Sequence, residues 1–197
     1  MKKQLFFLLL MSVFYTGFSQ VQVGSDTKNP SLLFPFRVAG DYSYAQSIYL
    51  ASEINASGAI TAIKWYYGGV SALPNSQQLD VYLTTTTKNS FATDTDWVTV
   101  TAQDVYYSGG ITTGSAPGWV TLTLSKPFQY NGIDNLVVAV DENKENSDPI
   151  AIAFYATEVS ANRSIIAHSV TVGVNPDPIN PPTSGFPKNT ANFVPNI

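Results

Sequence analysis

The chain has 197 residues, with 10 Lys and Arg against 14 Asp and Glu, one His and no Cys, and it is 44% hydrophobic but only 12% charged. Without cysteine there is no disulfide scaffold, thiolate nucleophile or zinc ribbon, and His168 alone cannot build a two- or three-histidine metal site. A net charge of -4 argues against a nucleic-acid partner, which needs a basic face, while 13% aromatics supply apolar surface for a core.

Lys2 and Lys3 precede an apolar stretch from Leu5 to about Tyr15, and Gly17-Phe18-Ser19 places small residues at both selective positions of a signal-peptidase site. This predicts a signal peptide over residues 1–19, cleavage after Ser19, and an exported product that is secreted or held at the cell surface. The apolar run is shorter than the ~20 residues of a membrane span, so no span is expected in the mature chain. No Cys follows it to carry a lipid. Loss of Lys2 and Lys3 leaves eight basic residues against 14 acids, a net charge of -6. The remaining length suits one domain that buries roughly 70% of its unfolded surface.

From there the apolar residues alternate, the pattern of half-buried strands. Ala45 to Glu53 reads as a strand with a bend. Ile63, Trp65 and Tyr67 mark the next strand, followed by Leu79, Val81 and Leu83, then Val105 and Tyr107. Val120, Leu122 and Leu124 follow, with Pro127 expected to end the ladder and Asn131-Gly132 to make a tight reversal before Leu136, Val138 and Val140. Ile150, Ile152 and Phe154 read as a further strand, and Ile165 to Val172 as one or two more. Gly, Pro, Asn and Ser clusters punctuate these runs, and no dodecamer keeps helical spacing. The predicted fold is all-β, an antiparallel two-sheet sandwich or barrel over residues 20–174. Six prolines between Pro176 and Pro195 make residues 175–197 a strap or linker that ends in a short edge strand.

Three candidate sites stand out. Tyr66, Tyr82 and Tyr106 fall on the polar parity of their strands, and Trp97 sits in a turn-rich stretch. On a concave face these four are candidate ligand-binding residues, because flat apolar rings with a polar tip stack on sugars or contact another protein. Trp65 and Trp119 are read instead as cover for the second sheet or the strap. The acidic stretch Asp141 to Asp148 is either a calcium-binding loop of hard oxygen ligands or a solvated hairpin loop. Paired-acid hydrolysis finds poor support, since Asp141 and Glu142 point to opposite faces of a strand and Asp94 and Asp96 lie in a turn. His168 lies near Ser164 and Ser169 without a nucleophile elbow or an acid, which reads as a strand-surface histidine. No catalytic residue, metal or cofactor is assigned.

Gly118-Trp119-Val120-Thr121-Leu122-Thr123-Leu124, Pro127 to Gly132, and Asn135-Leu136-Val137-Val138-Ala139-Val140-Asp141-Glu142-Asn143 together resemble a pattern in jelly-roll modules of secreted and cell-surface Bacteroidetes proteins. Tyr44 to Leu50, Ile60 to Tyr67 and Leu79 to Thr84 look like the first half of that module, and Val194-Pro195-Asn196-Ile197 like its last strand. The resemblance covers about residues 35–154 plus that closing strand. In the family such modules often precede fibronectin type III domains and a sorting domain of the type IX secretion system. The resemblance implies a jelly-roll β-sandwich and a non-catalytic adhesion or ligand-binding role with a glycan or surface protein as partner. A structural spacer within a longer exported protein, or a jelly-roll glycoside hydrolase, are the alternative expectations.

Overall fold

The computed structural model describes residues 19–27, 33–148 and 154–197. The expected signal peptide up to Phe18, and Ile150 and Ile152 of one expected strand, lie outside them. The described chain is all-β. Ten strands follow in order: β1 (Tyr42–Tyr49), β2 (Gly58–Tyr67), β3 (Leu79–Thr86), β4 (Val105–Gly109), β5 (Gly118–Tyr130), β6 (Asn135–Glu142), β7 (Ala156–Glu158), β8 (Ser164–Ser169), β9 (Lys188–Ala191) and β10 (Phe193–Pro195). A single helical turn, α1 (Ala51–Ile54), follows β1. Six strands form one antiparallel sheet in the order β4-β3-β6-β1-β8-β9, while β2 pairs with β5 and β7 with β10. No helix among the described residues is long and apolar enough to cross a membrane.

The alternating positions converge on one main core. Leu79, Val81 and Leu83 of β3 and Leu136, Val138 and Val140 of β6 meet Ile63, Trp65 and Tyr67 of β2 and Val120, Leu122 and Leu124 of β5. Strand alternation then turns Asp80, Tyr82 and Thr84, and Val137, Ala139 and Asp141, to the other face of the six-stranded sheet. That second face is covered rather than wet, so every residue of β1 and β6 is buried. Residues 87–104 lie over it, where Phe91 packs on Ile48, Val137 and Ile165, and Val100 on Tyr44, Tyr82 and Ala139. Gln46 pins this cover: its Nε2 donates to the Val98 carbonyl at 2.7 Å and its Oε1 accepts from the Val98 amide at 2.8 Å. A buried amide satisfied this way fixes where the cover sits, since an unmet partner costs about 1–3 kcal/mol.

Four local expectations are corrected. The bend after β1 is the helical turn α1, closed by Asn55 in the left-handed region at φ 46°. Pro127 does not end the ladder; β5 runs on to Tyr130, pairing Thr123 with Ala62 and Phe128 with Ile60. The residues between leave the ladder toward β4, with Ser125 Oγ donating to the Tyr106 carbonyl at 3.0 Å. Residues 131–134 are no hairpin, because β5 and β6 belong to different sheets; Asn131 Oδ1 accepts from the amides of Ile133 and Asp134, and Gly132 takes φ 71°. Asp141 and Glu142, read as the start of an exposed loop, close β6 under cover, 4% and 1% exposed.

Candidate functional site

On β2 and β5, the side chains facing away from the core form a strip of Ala62, Lys64 and Tyr66 beside Trp119, Thr121 and Thr123, in direct register. Trp119, Thr121 and Thr123 are exposed. Trp119, 37% exposed, is therefore not the sheet cover that its sequence context suggests. Its ring stands edge-on to Tyr66 at 5.3 Å and 90°. Tyr155, just before β7, stacks on the other side of Tyr66 at 5.4 Å and 12°. The result is a row of three aromatic rings flanked by threonine hydroxyls and the Lys64 ammonium. Gly68 makes room for it: a Cβ there would stand 2.5 Å from the Tyr155 ring.

The other residues singled out from the sequence lie elsewhere. Tyr82 is 5% exposed, packed with Tyr44, Val100 and Ala139, so it offers no surface to a ligand. Burial also pushes its hydroxyl pKa up. Its polar parity is real, but the face it points to is covered. Trp97 is half-buried over the same face, stacked on Tyr44 at 5.2 Å and 30°, with its Nε1 donating to the Pro182 carbonyl at 3.2 Å. It joins the sheet to the proline-rich segment and is not a loop-tip contact. Tyr106 is displaced by a bulge: Val81 pairs with Tyr107 but Tyr82 with Val105, leaving Tyr106 as the extra residue. Its ring turns edge-on to Phe128 at 5.2 Å, with Lys126 Nζ 4.5 Å from its centroid. Of the four candidates, only Tyr66 belongs to the aromatic row.

Asp80 stands opposite Asp141 across β3 and β6. Asp148, 1% exposed, accepts from the Asn75 amide and the Ser76 hydroxyl. Asp141 Oδ2 accepts from Asn143. Burial, with Asp80 and Asp177 adding repulsion, pushes Asp141 up to about 7 against that hydrogen bond. Burial pushes Glu142 up to about 9. Among the described residues no group of three or more His, Asp or Glu side chains is arranged to hold a metal. Asp96 is committed to its turn by Lys88 at 2.6 Å and the Ala92 amide. His168 is half-buried with its Nδ1 unpartnered, and burial followed by the Arg37 charge lowers its pKa to about 4. Ser164 lies four positions along the same strand, roughly 13 Å away at the usual rise, and its hydroxyl donates to the Phe193 carbonyl. Among the described residues, Ser164 and His168 do not meet.

Sequence reasoning missed Trp119 and Tyr155. Register across β2 and β5 would have placed Trp119 beside Tyr66; the position of Tyr155 carried no local signal. No family profile, curated protein or solved structure matches this chain.

Proposed function

We propose that the protein is an exported, non-catalytic β-sandwich of jelly-roll type that serves as an adhesion or ligand-binding module at a bacterial cell surface and takes a glycan on the outer face of β2 and β5. The observation that carries this reading is the row Trp119, Tyr66 and Tyr155, with two rings stacked at 12° and the third edge-on. Aromatic faces stack on the apolar faces of sugar rings, and Thr121, Thr123 and Lys64 lie alongside to bond hydroxyls. The sandwich reading is supported by the core enclosed between the six-stranded sheet and the β2–β5 pair. A binding role without turnover is supported by the burial of Asp141 and Glu142, the two acids with raised pKa values. Export rests on the sequence of residues 1–19.

The test is a glycan array together with a pull-down from cell-surface extracts, using the protein and its Tyr66→Ala/Trp119→Ala variant. Binding by the protein that the variant loses supports the reading. Blank results from both assays, or hits that the variant keeps, overturn it.

A further inference from the structure

A groove of about 660 Å³ runs beside the first part of β2, and every residue from Gly58 to Lys64 lines it. Successive strand side chains point to opposite faces, so an unbroken run of lining residues means that the strand presents its backbone edge. The other edge of β2 is taken by β5. On the groove side, the backbone bonds of β2 among the described residues are confined to its end at Tyr66, whose N–H donates to the Asn196 carbonyl at 3.4 Å and whose carbonyl accepts from the Tyr155 amide at 2.9 Å. The facing wall is Gln20, Val21, Val23 and Ile197, with Val23 and Ile197 bonded to each other at 2.8 and 3.0 Å. Buried side chains of Tyr49, Ile63 and Leu136 also line the groove.

An open strand edge invites another strand, and proteins blunt it with charge or proline. Gly58 to Ile63 carries neither. The side chains lining the groove carry a single charge. No Asp or Glu lines it, and Lys64 is its one charged side chain, reaching only Gln20 Oε1 at 3.3 Å among the described residues.

We propose that this groove is a strand-addition site for an extended peptide segment of a partner protein, apolar at alternate positions and carrying a carboxylate where it passes Lys64. Main-chain bonds to Ala62 and Lys64, which share the edge parity of Tyr66, supply affinity; the apolar lining selects alternate side chains, and the Lys64 ammonium sets register through charge complementarity. A second copy of β2 is a poor occupant, because it arrives with β5 on its other edge and meets the wall of Val21, Val23 and Ile197. A bare alkyl chain leaves the edge amides unmet. The groove adjoins the glycan face and shares Trp119 and Lys64 with it, but Tyr66 and Tyr155 do not line it, so Tyr66→Ala alone should weaken glycan binding and leave peptide retention unchanged.

The test uses the purified protein and a pool of nine-residue peptides that alternate apolar residues with threonine and carry one glutamate near an end. Retained peptides are then compared with twins N-methylated at alternate residues while hydrogen exchange is followed. The expected result is retention of a subset, at least tenfold slower exchange at the groove-side amides of Ala62 and Lys64 with the β5-paired Ile63 amide unchanged, and loss of both on N-methylation. Lys64→Gln should weaken the glutamate peptide about threefold and leave its glutamine twin unchanged. Retention of no peptide, equal binding by the N-methylated twins, protection elsewhere, or dodecanoate binding in place of every peptide would overturn the proposal.

Discussion

The rings of Tyr66 and Tyr155 stack at 5.4 Å and 12°, held in register by a 2.9 Å bond from the Tyr155 amide to the Tyr66 carbonyl. One backbone bond thus ties β2 to the residue before β7 and sets the two rings side by side. The arrangement depends on Gly68, since any Cβ there meets the Tyr155 ring. Gly68→Ala is expected to push that ring off Tyr66 and forfeit the aromatic pair, worth about 0.5–1.5 kcal/mol. Near-ultraviolet circular dichroism should report the lost stack, and glycan affinity should fall about two- to tenfold. An unchanged spectrum and affinity would show that the stack is dispensable.

Trp97 joins three parts of the chain: the cover over the sheet, Tyr44 beneath it and Pro182 above it. Trp97→Ala removes a large packed ring and leaves the Pro182 carbonyl without this donor. The expected loss is about 3 kcal/mol, near the low end for truncating a packed tryptophan because this one is half-buried. Urea denaturation measures it, and limited proteolysis should cut near residues 175–185 faster in the variant. A loss below 1 kcal/mol, on the order of a surface change, would contradict the assigned role.

Stability should fall as pH rises from about 5 to 9. Asp141 and Glu142 have folded pKa values of about 7 and 9, above their ordinary values, so the folded state holds protons that the unfolded chain releases. Wherever the native state binds more protons, raising pH favours unfolding. His168 acts in the opposite direction: its folded pKa of about 4 makes the unfolded chain bind the extra proton, and its contribution is lost as pH falls below about 6.5. Two acids outweigh one histidine, so the net slope stays negative across the window. Asp141→Asn should flatten it and raise the melting temperature at pH 8 while changing little at pH 5. Melting curves at the two pH values check this; a variant less stable at pH 8 would reverse the sign.

The strands of the main core were legible because their alternation reports one buried face, as in Ile63, Trp65 and Tyr67 or Leu79, Val81 and Leu83. The second face of the six-stranded sheet was not legible. Tyr82 and Asp141 occupy polar parity and are still buried, because residues 87–104, which carry no period of their own, fold over them. Parity also fails at Tyr106, where one inserted residue resets the alternation. The candidate site was half legible. Tyr66 was readable from its strand, whereas Trp119 needed the β2–β5 register and Tyr155 needed a pairing between distant parts of the chain.

Trp119 is the tryptophan through which the glycan reading is most directly tested. Trp65 is fully buried and Trp97 is covered, so iodide quenching of the intrinsic fluorescence should report chiefly Trp119. With a glycan selected on the array, the expected result is a saturable change in emission together with loss of iodide quenching, both absent in Trp119→Phe/Tyr66→Ala. No selected glycan, or saturation of one while iodide still reaches Trp119 unhindered, would contradict binding on the β2–β5 face.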